Sequence, residues 1–199
     1  MPEIVELPLK PATSENVAPF GTLIRVDDRQ EPLPIPFFEG AVATYPPPPF
    51  VSDADTVVSI SRLNRRPLEM RWMERHFKHT QTFIPLCGRP FIMILAPPTD
   101  TELPNLRAAA ALKFAGDGAL MLHIGTWHEF PLPLEDATDM IVILRNETTE
   151  SLLAENVKGN EGHGPDIDKK DIVARLDTVV RVVPAWMPSD PTSARGPVS

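Results

Sequence analysis

The chain has 199 residues, 24 of them proline, a single cysteine (Cys87) and a formal net charge of −8. One cysteine excludes an intrachain disulfide and a disulfide-stapled scaffold, and the acidic balance excludes binding nucleic acid or an anionic membrane through bulk electrostatics. Proline at about twice its usual share disfavours long helices and suits a loop-rich β-protein.

In chain order, residues 3–9 alternate enough for a short edge strand, limited by Pro8 and Pro11. Thr13 or Ser14 can cap one short helix through Ala18, and Pro19-Phe20-Gly21 then turns into a strand over residues 22–26. Residues 27–40 read as a polar, proline-rich loop, and residues 46–49, all proline, as a stiff polyproline II connector. Residues 56–63 alternate as a strand that puts Arg62 on one face with Val58 and Ile60. Residues 69–74, 81–86 and 91–96 supply three more strands, with Cys87 a buried thiol at a strand end. Residues 106–114 are ambiguous: four alanines favour helix, but a short span between turns favours strand, which we adopt. Residues 119–124, 140–144 and 177–183 complete the strands, and residues 157–170 read as a glycine-rich, charged loop. No apolar run approaches the roughly 20 residues that span a bilayer, and no basic-then-apolar leader follows Met1. We expect a cytoplasmic protein with one domain over 1–184 and a flexible tail over 185–199.

The residues capable of chemistry gather in two stretches. In the first, Glu74, His76, His79 and Gln81 lie between two strand-like runs, and Gly88 follows where a positive φ is often needed. In the second, His123 and His128 accompany Gly118, Gly125 and Pro131. Glu74 and His76 are two apart and share a face of an extended segment. Small β-barrels hold ligands on such inward-facing side chains. Glu74-x-His76, a gap to Gln81 and then Gly88 is similar to the first cupin motif, and Gly125 followed by His128 is similar to the second. The expected fold is all-β dominated, a cupin-like double-stranded β-helix barrel with one or two short helices.

Neutral imidazole is a common metal ligand and a general acid or base near neutral pH, which singles out His76 and His128. With His123, Glu74 and Gln81 they can form a mixed nitrogen and oxygen site for a divalent transition metal, or they can hydrogen-bond within a polar interior and bind nothing. Nothing calls for an organic cofactor. Arg62 and Arg107 each either clamp a substrate carboxylate or pair internally with an acid. Trp72 and Trp127 read as core or pocket wall, His79 as exposed in a turn, and His163 has no assigned role. Glu129 follows His128 directly and in a strand would face the opposite way.

Glu74-Arg75-His76, residues 80–85 (TQTFIP), residues 103–108 (LPNLRA) and Gly125-Thr126-Trp127-His128, with Pro8-Leu9 and residues 18–21 (APFG), resemble the ureidoglycolate lyase family over most of residues 4–144. The resemblance implies a cupin-like barrel, usually a homodimer, that splits ureidoglycolate into glyoxylate and urea in allantoin catabolism. Such a reaction needs a base, an acid and an anchor for the carboxylate. His76 and His128 would then be the acid/base pair or hold a shared metal, with Glu74 and Gln81 orienting the substrate or completing the metal shell. Arg62 or Arg107 would anchor the carboxylate, and His123 and Trp127 would contact the substrate. Leu122 and Glu129 depart from the family pattern. They favour, as a competing reading, a related cupin lyase acting on another small α-hydroxy or α-amino acid derivative. A cupin that binds a small carboxylate without turning it over is the reading from outside enzymology.

Overall fold

The computed structural model describes residues 2–27, 30–35, 38–153 and 159–184. The tail expected over 185–199 therefore lies outside the described residues. β1 (Glu3–Pro11) leads into α1 (Ser14–Val17). Thr13 caps that helix: its backbone is extended and its side chain accepts the Asn16 N–H at 3.1 Å. Pro19 has no N–H with which to continue the ladder, so the helix ends within one turn. There follow β2 (Gly21–Ile24), β3 (Thr56–Leu63), β4 (Glu69–Met70), β5 (Trp72–His76), β6 (Thr82–Pro85), β7 (Phe91–Ala96), β8 (Ala110–Phe114), β9 (Ala119–Leu122), β10 (Trp127–His128), β11 (Leu132–Pro133) and β12 (Thr138–Arg145). The last part of the described chain holds α2 (Asn146–Leu153), β13 (Gly162–His163), β14 (Ile167–Asp171), α3 (Ile172–Leu176) and β15 (Thr178–Val183).

The strands form two sheets. A strongly curled half-barrel runs in the order β13-β14-β5-β10-β7-β8-β1-β15-β4, with β11 also pairing with β7, and a second sheet runs β2-β9-β6-β12-β3. This is the mostly β, cupin-like architecture expected from the sequence. One core fills the space between the sheets: Phe91, Met93, Leu95, Leu112 and Phe114 meet Phe83, Leu120, Leu122, Met140 and Val142. A second packs behind the half-barrel around Met70, Met73, Ile92, Ile94, Trp127 and Val180. β7 contributes alternate residues to both cores, which is why its sequence FIMILA is apolar throughout rather than alternating. Each large apolar side chain so buried contributes about 1.5–3 kcal/mol.

Several local expectations change. β1 is no edge strand: residues 3–8 pair in parallel with β15 and residues 9–11 with β8. Parallel partners lie far apart in sequence, so no hairpin signal announces them. Residues 106–114 divide into a 3-10 turn (Leu106–Ala108) capped by Asn105, and then β8. The stretch read as a charged loop contains β13 and β14, whose charged residues are paired instead of solvated. Cys87 is exposed, with φ at +57° in the turn before Gly88. Gly88 itself has φ +64°, as its position between two strands requires.

Candidate active site

Strand register assembles the site. On β5, Glu74 lies opposite His128 of β10 on one side and opposite Lys169 of β14 on the other. Directly opposed residues project from the same face, so Lys169, Glu74 and His128 form one row. His76, two positions along β5, points the same way. The turn before β10 is tied to this row because the Gly125 N–H donates to the His76 carbonyl at 2.7 Å; Gly125 adopts φ +81°, which a β-carbon would strain. The two sequence stretches thus meet on the inner face of the half-barrel.

The Glu74 Oε1 atom lies 3.8 Å from His76 Nε2 and 3.7 Å from His128 Nε2. These separations are too long for hydrogen bonds. Metal bonds to imidazole and carboxylate of about 2.0–2.2 Å let one ion span them. The imidazole rings of His76 and His128 have centroids 5.2 Å apart. His128 Nδ1 sits 3.0 Å from the Thr126 carbonyl, which can only accept, so Nδ1 carries the proton and Nε2 presents its lone pair. Among the described residues, His128 Nε2 and both nitrogens of His76 are buried without hydrogen-bond partners. Buried polar atoms are normally satisfied; orphans aimed at one another are what a ligand or metal would complete. Glu74, His76 and His128 form one group able to hold an ion, and His76, His79 and Asp166 form another.

A cavity of about 260 Å3 adjoins Glu74 and His128, with Trp72, Met73, Glu129, Phe130, Leu152 and Lys169 completing its lining. It lies below the roughly 300–1,000 Å3 typical of sites for drug-sized ligands and suits a small molecule. Burial pushes the Glu74 carboxyl up to about 7; the nearby Lys169 charge opposes the rise and Glu129 adds to it. Burial pulls His128 down to about 4, against the Thr126 carbonyl that favours its protonated form. His76 is lowered well below its ordinary value, first by burial and then by His128 and His79. The cluster near neutral pH therefore combines two neutral imidazoles with a carboxyl that is poised to hold or release a proton.

The ureidoglycolate lyase family model matches residues 4–161. Ureidoglycolate lyases of Pseudomonas entomophila (strain L48) and Pseudomonas putida (strain W619) are each 31% identical over 146 residues, covering 70% of this chain and 84% of theirs. That of Pseudomonas aeruginosa (strain LESB58) is 32% identical over 146 residues, covering 70% of this chain and 83% of its own. The chain belongs to the ureidoglycolate lyase family. Members of this family are carbon–nitrogen lyases, and Glu74, His76 and His128 all fall within the matched residues.

Of the residues expected to act in this family member, Glu74, His76 and His128 converge. Gln81 is buried, and its Oε1 has no hydrogen-bond partner among the described residues. Of these eight residues, Glu74 and His128 line the cavity and the other six do not. Arg62 is exposed on β3 and forms a bidentate pair with Asp139 at 2.7 and 2.8 Å. Arg107 is exposed in the 3-10 turn, beside Lys10 and Glu15. His123 is exposed in the turn before Gly125. Trp127, the neighbour of His128, points into the rear core, where the Arg75 guanidinium stacks 4.3 Å from its ring centroid and Thr99 accepts its indole N–H.

His79, Asp166 and Glu129 belong to the site although sequence reasoning placed them elsewhere. His79, expected to be exposed, is 1% exposed; its ring lies tilted against that of His76, centroids 4.6 Å apart, and its Nδ1 lies 2.9 Å from Asp166 Oδ2. Asp166 also accepts the Phe77 and Lys78 N–H groups and the Thr148 hydroxyl. Burial raises this carboxyl, but the donors outweigh it and hold Asp166 below the usual carboxylate range. Glu129 does not face away from His128: β10 ends at His128, so alternation lapses, and Glu129 lines the same cavity while paired with Arg66. The spacing His76-x-x-His79 was the one available signal for His79.

Proposed function

We propose that this protein cleaves the C–N bond of ureidoglycolate, releasing glyoxylate and urea. The observation that carries the reading is the convergence of Glu74, His76 and His128 in one buried cluster, two of whose members, Glu74 and His128, line a cavity of small-molecule size. Ureidoglycolate bears a hydroxyl and a ureido nitrogen on one carbon. His128 Nε2 takes the hydroxyl proton, the O–H electrons form the carbonyl of glyoxylate, and the C–N electrons leave with nitrogen. Protonated Glu74 supplies the proton that makes the leaving group urea. The proton held on His128 then returns to Glu74. Each such proton transfer contributes typically 10²- to 10⁴-fold. His76 stands beside both groups, its Nε2 3.8 Å from Glu74 Oε1 and its ring centroid 5.2 Å from that of His128. The same three side chains fit a divalent transition metal, which when bound would polarise the hydroxyl and lower its pKa.

The test is release of urea and glyoxylate from racemic ureidoglycolate, corrected for spontaneous decay, with and without chelator. We expect both products in equal amounts, and a fall of at least about 100-fold in the His128→Ala variant, with a smaller fall in His76→Ala, in each case without loss of the fold. Loss on chelation and recovery with added metal would assign an ion to the cluster. No acceleration by the wild-type protein would overturn the lyase reading in favour of another small acid.

The homodimer implied by the family resemblance has a candidate surface in β3. Among the described residues this strand is an edge of the second sheet and presents Val58 and Ile60, 69% and 68% exposed. A long exposed apolar edge is a template for pairing, and a second copy offers the same edge in return.

A further inference from the structure

His76 also belongs to a second buried cluster, which the proposed reaction leaves unused. β5 ends at His76, and His79 sits in the turn that follows. That turn is pinned: Ser52 bridges to His79, Thr80 exchanges hydrogen bonds with Val51, and His79 is buried. β14 pairs with β5 so that Ile167 stands opposite His76, which sets Asp166 beside the same turn. There Asp166 Oδ1 accepts the Phe77 and Lys78 N–H groups at 3.1 and 2.8 Å, and Oδ2 accepts the Thr148 hydroxyl at 2.6 Å. A carboxylate oxygen has about two acceptor positions, so Oδ2 keeps one, and His79 Nδ1 lies 2.9 Å from it. One ligand atom from each of His76, His79 and Asp166 falls within 4.8 Å of the others. Among the described residues all four ring nitrogens of His76 and His79 are buried without an aligned hydrogen bond, the contact with Asp166 included. Buried polar atoms are normally satisfied, and a cation is what two imidazoles and a carboxylate so placed would share.

We propose that this protein binds a divalent transition metal ion of borderline softness, such as zinc(II), on His76, His79 and Asp166. Two imidazoles and one carboxylate are a donor set that such ions accept, with bonds of about 2.0–2.2 Å. Ligands bonded in this way stand roughly 3 Å apart, close to the separation of 2.9 Å between His79 and Asp166. Glu74, by contrast, meets His128 and His76 at 3.7 and 3.8 Å. The backbone and hydroxyl donors on Asp166 are the outer partners that hold a ligating carboxylate in place. Because His76 is common to both clusters, an ion drawn to His79 and Asp166 leaves Glu74 and His128 free to exchange protons with a substrate. The proposal does not depend on which substrate that is.

The experiment strips the full-length protein with chelator and titrates it with cobalt(II), followed by visible absorption, and with zinc(II) in competition with a chromophoric chelator. It compares the wild type with His79→Gln, Asp166→Asn, Glu74→Gln and His128→Gln, with melting temperatures as a fold control. We expect one ion per chain in the wild type. His79→Gln and Asp166→Asn should each weaken binding by at least about 100-fold, the upper end of what loss of an outer partner alone costs. Glu74→Gln and His128→Gln should leave the affinity little changed. Should His79→Gln or Asp166→Asn fail to fold, anomalous scattering from a zinc-soaked wild-type crystal locates the ion without a variant. An ion among His76, His79 and Asp166 supports the proposal, and one against Glu74 and His128 overturns it. A wild type that binds neither ion would also overturn it, as would a loss in Glu74→Gln or His128→Gln as large as that in His79→Gln. Binding is read without substrate, so an absence of ureidoglycolate turnover sinks the lyase reading and leaves this proposal standing.

Discussion

Glu74 and His128 face one another with opposed titration behaviour, and this has a consequence for stability. Glu74 sits at about 7 in the folded chain against an ordinary 4.5, so its favourable contribution is complete below 4.5 and is lost as pH rises to about 7. His128 sits at about 4 against 6.5, so its contribution is complete above 6.5 and is lost as pH falls to about 4. Each swing is worth up to roughly 3 kcal/mol, and between 4.5 and 6.5 the two run in opposite directions. The Glu74→Gln variant should therefore lose stability more steeply than wild type on acidification from 6.5 to 4, and should gain relative to it above 7. Urea midpoints measured across that range decide the matter; parallel profiles would mean that Glu74 is solvated. At this scale the sequence showed which residue types were present and, through the two-residue spacing on β5, that Glu74 and His76 share a face. It did not show that His79 is buried, because a turn residue has no periodicity from which burial can be read.

At the scale of elements, β14 joins parts of the site that are distant in the chain. Asp166, just before it, takes donors from the turn after β5 and from Thr148 of α2, and it orients His79 against His76. Asp168 within it pairs with Arg75 on the opposite face. Replacing Asp166 with alanine leaves buried donors without an acceptor and should lower stability by roughly 3–5 kcal/mol in chemical denaturation, with Asp166→Asn losing less. A loss under about 1 kcal/mol would show that the carboxylate does not clamp these elements. The sequence concealed β14 because IDKKD lacks apolar alternation. A strand whose charges are paired inside a protein looks, residue by residue, like a solvated loop. β7 and β12 were legible for the opposite reason: their apolar residues meet a core directly.

For the whole molecule, the open edge at β3 predicts a dimer. Light scattering of the wild type should give twice the monomer mass, and Ile60→Lys should return it to the monomer by burying a charge at the shared edge. A wild-type monomer at micromolar concentration would reject this edge as an interface. Among the described residues no helix is long and apolar enough to cross a membrane. The chain by itself determined its β-rich class and its short first helix, since prolines interrupt helices and Thr13 caps one. It also determined the pairing of Glu74 with His76, and through its motifs the family. Only the tertiary structure decided which polar residues share the site. His128 and Lys169 reach Glu74 through registers between strands some 50 to 100 residues apart, and Arg62 is withdrawn from it by a neighbour on β12. Local propensity sees a few residues at a time; cross-strand register and charge pairing are settled when the sheets close.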